Sequence, residues 1–230
     1  MRRGDKKPGG LGAAREADAP RARARPESSE DGSQAWHVAE GKYGQQLLDQ
    51  GQVGQATEVF EAVLARLGDT PSYGRAVILG RLGRCFYVDG RPDLAVRHVR
   101  EALNVLGRLA PSDGVKGLRG TLRSELGDAL RAGGQYDDAR KAYEAALKIA
   151  EELQDLRGQG VDLGRLGTLA LTEGKLEEAL TRQHAALRLF QQLHEPDMEA
   201  ASKSAARRVA FGSRRHAPRH RSGRRRHGGI

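Results

Sequence analysis

The chain has 230 residues, with 39 Lys and Arg against 30 Asp and Glu, one cysteine, and a formal net charge of +9. The lone thiol, Cys85, excludes an internal disulfide framework and a thiolate-clustered zinc site, and suits a reducing interior. No apolar run reaches the roughly 18 residues of a membrane span, and the N-terminus lacks the apolar stretch of a secretory signal; the expected setting is cytoplasmic, without membrane contact.

Residues 1–33 are rich in Gly, Ala, Pro, Arg and Ser, with Leu11 almost the only large apolar side chain. They bury too little surface to offset backbone ordering, so this segment is expected to be disordered. Trp36 opens the first apolar pattern and is expected to cover the N-terminal end of a core.

From there a single motif recurs, in which a large apolar residue precedes Gly and is followed thirteen residues later by Ala. The copies are Tyr43-Gly44 with Ala56, Leu82-Gly83 with Ala95, Leu126-Gly127 with Ala139, and Leu166-Gly167 with Ala179. A turn separates the two parts of each copy: Gly51-Gln52, Gly90-Arg91-Pro92, Gly133-Gly134-Gln135 and Gly174-Lys175. Such self-similarity marks a repeat architecture.

Each unit reads as two helices. The second has a 3.6-residue apolar period, as in Val53, Ala56, Val59, Phe60, Val63, Leu64 and Leu67. Gly at the break suits a helix C-terminus, and Pro92 suits a first turn. The pairs Asp137-Asp138 and Glu177-Glu178 fall in first turns, where the helix dipole favours them, so they read as structural carboxylates. Gly in a helix costs about 1 kcal/mol relative to Ala, so four at one phase imply a packing demand. Gly44, Gly83, Gly127 and Gly167 are expected to face Ala56, Ala95, Ala139 and Ala179, with the large neighbours filling space on either side. Repeats are predicted over about 34–69, 70–110, 113–154 and 156–195, with a partial fifth helix from 196.

Residues 200–230 hold Lys203 and nine Arg with no acid, whereas residues 36–199 sum to −3. The basic character therefore belongs to the tail, which is expected to be largely disordered. Its charge would attract nucleic acid non-specifically by counterion release, although only Phe211 could stack on a base. A truncated or frame-shifted end of a longer array is the competing account of this tail.

The Leu-Gly, Ala, aromatic, Ala pattern resembles the tetratricopeptide repeat, best in Leu126, Gly127, Leu130, Ala139, Tyr143 and Ala146. In the fourth copy Gln183 stands where the aromatic is expected. The period near 40 is similar to the extended repeats of kinesin light chain and of many bacterial arrays. This resemblance implies an all-α fold: a right-handed α-solenoid of antiparallel helix pairs, about four in number, whose first helices line a concave groove. Alignment to the Leu-Gly pair implies groove positions Gln45, Leu48, Arg84, Tyr87, Asp128, Arg131, Thr168 and Leu171. The family's chaperone-tail clamp needs Lys and Asn where this chain has Gly41 and Gln45, which disfavours that partner.

Several motifs carry no chemistry. Gly167 to Gly174-Lys175 has the wrong spacing for a phosphate loop and lies in a helix and its turn. Gly80-Arg81-Leu82-Gly83 and Gly164-Arg165-Leu166-Gly167 are repeat architecture. Cys85 reads as a small buried hydrophobe. His216 and His220 have metal-like spacing but sit among Arg214, Arg215, Arg219 and Arg221, with Pro218 between them. No nucleophilic constellation, metal or cofactor is expected. The functional expectation is a non-enzymatic scaffold binding a protein or peptide in the groove, with self-association through that surface as a variant. The alternatives are a nucleic-acid adaptor using the tail, or the regulatory portion of a larger signalling enzyme.

Overall fold

In the computed structural model residues 30–216 are described, with side chains from 36 to 210. Contacts divide the chain into two units, Met1–Trp36 and His37–Ile230. Of the first, the described residues form the opening turns of helix α1. Among the described residues the elements are α1 (Glu30–Asp49), α2 (Val53–Leu67), α3 (Tyr73–Val88), α4 (Pro92–Gly107), α5 (Asp113–Ala132), α6 (Tyr136–Glu152), α7 (Leu156–Thr172), α8 (Leu176–Gln192) and α9 (Pro196–His216). No described helix is long and apolar enough to cross a membrane.

The second unit is an all-α solenoid of antiparallel pairs. The dominant contacts join α3 to α4, α5 to α6 and α7 to α8, with weaker contacts linking the first helices α3, α5, α7 and α9 in series. Three first helices start on a side-chain cap: Ser72 accepts from the Arg75 N–H at 3.1 Å, Ser112 from Val115 at 3.2 Å, and Asp155 from Gly158 at 2.9 Å. The turn inside each pair is closed the same way, by a left-handed glycine (Gly51, Gly90, Gly134, Gly174) and a backbone bond such as Gln135 N–H to the Leu130 carbonyl.

The motif glycines do more than approach an alanine. A Cβ on Gly44 would lie 2.6 Å from the Phe60 ring, and one on Gly83 would lie 2.5 Å from Val99 Cγ2. At Gly127 it would clash with the Tyr143 ring, and at Gly167 it would meet Gln183. The space that each glycine vacates is therefore filled by the side chain sixteen residues on. Ala56, Ala95, Ala139 and Ala179 are all fully buried beside it, and the Ala95 and Ala179 carbonyls come within 3.3 and 3.2 Å of the added atom.

Two expected boundaries fall inside helices. Helix α1 already begins at Glu30, within the stretch expected to be disordered up to residue 33. Helix α9 runs to His216, well past the expected start of an unstructured tail at 200. The physical reason is a seam of small residues, Ser202, Ala205 and Val209, which α9 buries at three- and four-residue spacing. Val209 closes onto Ala170 and Ala179, with Leu171, Leu176 and Leu180 around them. The arginine-rich composition concealed that seam. Residues 1–29 and 217–230, with His220 and most of the tail arginines, lie outside the described residues.

The contrast between occupied and open glycines can be measured by urea unfolding. Gly127→Ala is expected to lower stability by about 1–3 kcal/mol through overpacking against Tyr143. Gly54→Ala, where no atom lies within 4 Å of the added Cβ, is expected to raise it by up to about 1 kcal/mol.

Candidate functional site

Among the described residues, depressions of about 290, 130 and 290 Å³ open on the first-helix face. Arg165 lines all three. It is fixed by Asp128 of the preceding repeat, with Nε at 3.2 and 3.0 Å from the two carboxylate oxygens and a terminal nitrogen at 2.9 Å. Asp128 also accepts a 2.8 Å hydrogen bond from the buried Tyr143 hydroxyl. Arg165 reaches Asp162 on its own helix at 3.6 Å, and Asp162 in turn accepts from the buried Ser124 hydroxyl.

These pairings follow a register. The residue after the motif glycine of one repeat meets the residue two before the motif glycine of the next. Asp128 meets Arg165 in this way, and Arg84 lies 3.9 Å from Glu125. The opposite charges at those two phases were visible in the sequence, but only the pairing of neighbouring first helices gives them meaning. Glu125, Asp162, Arg165 and Ser124 thus join the expected positions on the first-helix face, although the sequence alone does not single them out.

The eight expected groove positions divide. Arg84, Tyr87 and Asp128 line the central depression together with Glu125 and Arg165. Asp128, Arg131 and Thr168 line the one toward α9. Gln45 is half-buried and donates to Asp49 at 2.8 Å on its own helix. Leu48 is buried in the core, and Leu171 packs against the α9 cluster. Those two leucines serve packing. Gln183, in the fourth repeat's aromatic position, is 3 % exposed and donates to the Gly164 carbonyl at 2.9 Å, which satisfies its amide in the core.

Two carboxyls on this face are perturbed. Burial is the main force lifting Glu125 to about 7; Arg84 and Arg165 oppose it, and Asp128 adds to it. Burial likewise lifts Asp162 to about 6, against the Ser124 hydrogen bond and Arg165 and helped by Asp128 and Asp155. Cys85 is fully buried, and burial pushes its thiol up against a Thr57 hydrogen bond and Arg84. Among the described residues no cluster of His, Cys, Asp or Glu could hold a metal ion.

The tetratricopeptide repeat family model matches residues 118–192, from within α5 to the end of α8. Among curated proteins no sequence matches the chain. Among solved structures the chain is similar to apo RapI, with 10 % identity and a TM-score of 0.68, over 78 % of this chain and 64 % of that one. It is similar to a chain of the APC/C hetero-tetramer Cut9–Hcn1, with 18 % identity and a TM-score of 0.62, over 75 % of this chain and 29 % of that one. It is also similar to the yeast histone chaperone Hif1, with 12 % identity and a TM-score of 0.63, over 80 % and 96 %. The chain therefore spans less than two thirds of the RapI and Cut9–Hcn1 chains. The shared property is the repeat fold.

Because Glu125 and Asp162 hold protons more tightly folded than unfolded, the stability they contribute is complete below the ordinary carboxylate range. It declines as pH rises through about 6 to 7. In urea titrations Glu125→Gln is expected to match the parent below about pH 4 and to exceed it at pH 8 by about 1–3 kcal/mol, since burial outweighs the arginines. Equal midpoints at pH 8 would contradict that balance.

Proposed function

We propose that this protein is a non-catalytic interaction module that captures a partner protein or peptide on the face made by its first helices. The observation that carries this reading is the convergence of three depressions on Arg165, a guanidinium already oriented by Asp128. A preorganised donor loses little freedom on binding, and planar donors suit carboxylates and carbonyls. Beside it, Tyr87 is half-buried and Val88 is 54 % exposed, giving the same face an apolar anchor. The likeness in fold to Hif1, a scaffold protein recruiting protein complexes to core histones, and to a chain of an APC/C assembly supports this class of role.

Simultaneous substitution of Arg84, Tyr87 and Arg131 by Ala is expected to release the partner retained from nuclease-treated lysate by the full chain, with helicity unchanged by circular dichroism. Retention of the same discrete protein would remove the face from consideration. Truncation after His216, which keeps α9, is expected to leave capture intact. Loss of all retained material on that truncation, together with nuclease sensitivity, would transfer the function to the tail arginines and to nucleic acid.

A further inference from the structure

A second register joins successive first helices. The residue three before each motif glycine faces the residue five before the next one. Gly41 faces Ile78, whose Cδ1 would lie 3.5 Å from an added Cβ, with the Arg81 guanidinium beside it at 2.9 Å, and Gly80 faces Leu122 at 2.6 Å. In the third step the pair is polar, with the Ser124 hydroxyl donating to Asp162. In the fourth step Gly164 and Ser202 of α9, which lies one repeat length of forty residues after Asp162, line the same depression. Ser is too short to close the gap, and no atom lies within 4 Å of a Cβ on Gly164.

The result is the depression of about 290 Å³ between α7 and α9, with Phe190 and Gln183 at its base. Ser202 lines it while being only 5 % exposed, and its hydroxyl has no hydrogen-bond partner among the described residues. Arg131, Arg165 and Arg208 stand around it, and the one carboxylate among its lining residues, Asp128, is taken by Arg165 and Tyr143. The hole thus has the place of a leucine side chain, a serine hydroxyl on its wall, and a surplus of positive charge.

We infer that this trough receives an acidic peptide segment, which sets one leucine-sized side chain against Gly164 and Ser202 and places flanking carboxylates on Arg131 and Arg208. The inference rests on the capture reading above and specifies its partner chemistry. The segment supplies from outside what Ile78 and Leu122 supply at the first two junctions, so the partner completes the array's own packing rule. Helix α9 is accordingly one wall of the binding site as well as the end of the core.

The test pans a phage-displayed library of random dodecapeptides on the full chain, then measures the recovered peptides, fluorescein-labelled, by anisotropy at fixed salt. Recovered sequences are expected to be net acidic around a Leu, Ile or Met. Ser202→Leu, which restores the aliphatic side chain at this junction, is expected to raise the urea midpoint and weaken those peptides at least tenfold. Arg131→Glu with Arg208→Glu is expected to weaken them comparably without raising stability. The basic tail is identical in every variant, so its contribution cancels. Neutral or basic recovered peptides, or acidic ones that bind Ser202→Leu unchanged, would overturn the trough. If such peptides still responded to Arg84→Ala with Tyr87→Ala, capture on the wider face would stand without it. Failure to recover any peptide would count against both.

Discussion

The structure depends on four positions that can hold no side chain. Gly44, Gly83, Gly127 and Gly167 are where the second helix of each pair pushes an inward side chain against the backbone of the first. Phe60, Val99, Tyr143 and Gln183 are chemically unlike, yet each is almost wholly buried at the same phase. The constraint is steric before it is hydrophobic: the space admits whatever fits, and the polar occupant is tolerated because its amide finds the Gly164 carbonyl and, at 3.4 Å, the Thr168 hydroxyl. Tyr143 shows how this packing reaches the first-helix face. Its ring fills the gap left by Gly127, and its hydroxyl emerges to hold Asp128, which holds Arg165. A core residue thereby orients a surface cation.

Around this packing, the charges between repeats do two kinds of work. Arg140 of α6 bridges Glu173 and, at 2.8 Å, Glu178, tying the third pair to the fourth away from the first-helix face. Arg165, Asp128, Asp162 and Glu125 lie on that face, where burial opposes ionisation of the two perturbed carboxyls. Their arrangement contributes little net stability near neutral pH. It is better understood as fixing the position of charge than as holding the helices together.

The solenoid was legible from sequence because its signals are local or strictly periodic. Glycine followed at a constant interval by alanine, and turns that open on glycine, need no tertiary information. The candidate site was legible in part. Arg84, Tyr87, Asp128, Arg131 and Thr168 were reachable by phase along the first helix, but Leu48 and Leu171 share that phase and are claimed by packing. Phase gives the direction of a side chain and says nothing about which neighbour arrives there. Glu125, Asp162 and Arg165 were passed over for that reason, since each acquires its role from a residue roughly forty positions away. The extent of helix α9 beyond its expected start at 196 was hidden for another reason: its buried seam is the narrow row Ser202, Ala205 and Val209, swamped by adjacent arginines.

The four junctions between first helices differ in kind along the chain. The first sets Ile78 and the Arg81 guanidinium against Gly41; the second is dry, with Leu122 sunk into Gly80; the third is a hydroxyl against a carboxylate, and the fourth is hollow. Considered as a spring, such a coil is stiff at its amino-terminal end and compliant at the other. Bending at a dry junction would open van der Waals contact to solvent, whereas bending at the third exchanges one polar partner for water, and at the fourth there is little to lose. Arg131, Arg165 and Arg208 sit on the compliant half, so a ligand that grips them takes hold of the coil where its pitch yields most easily.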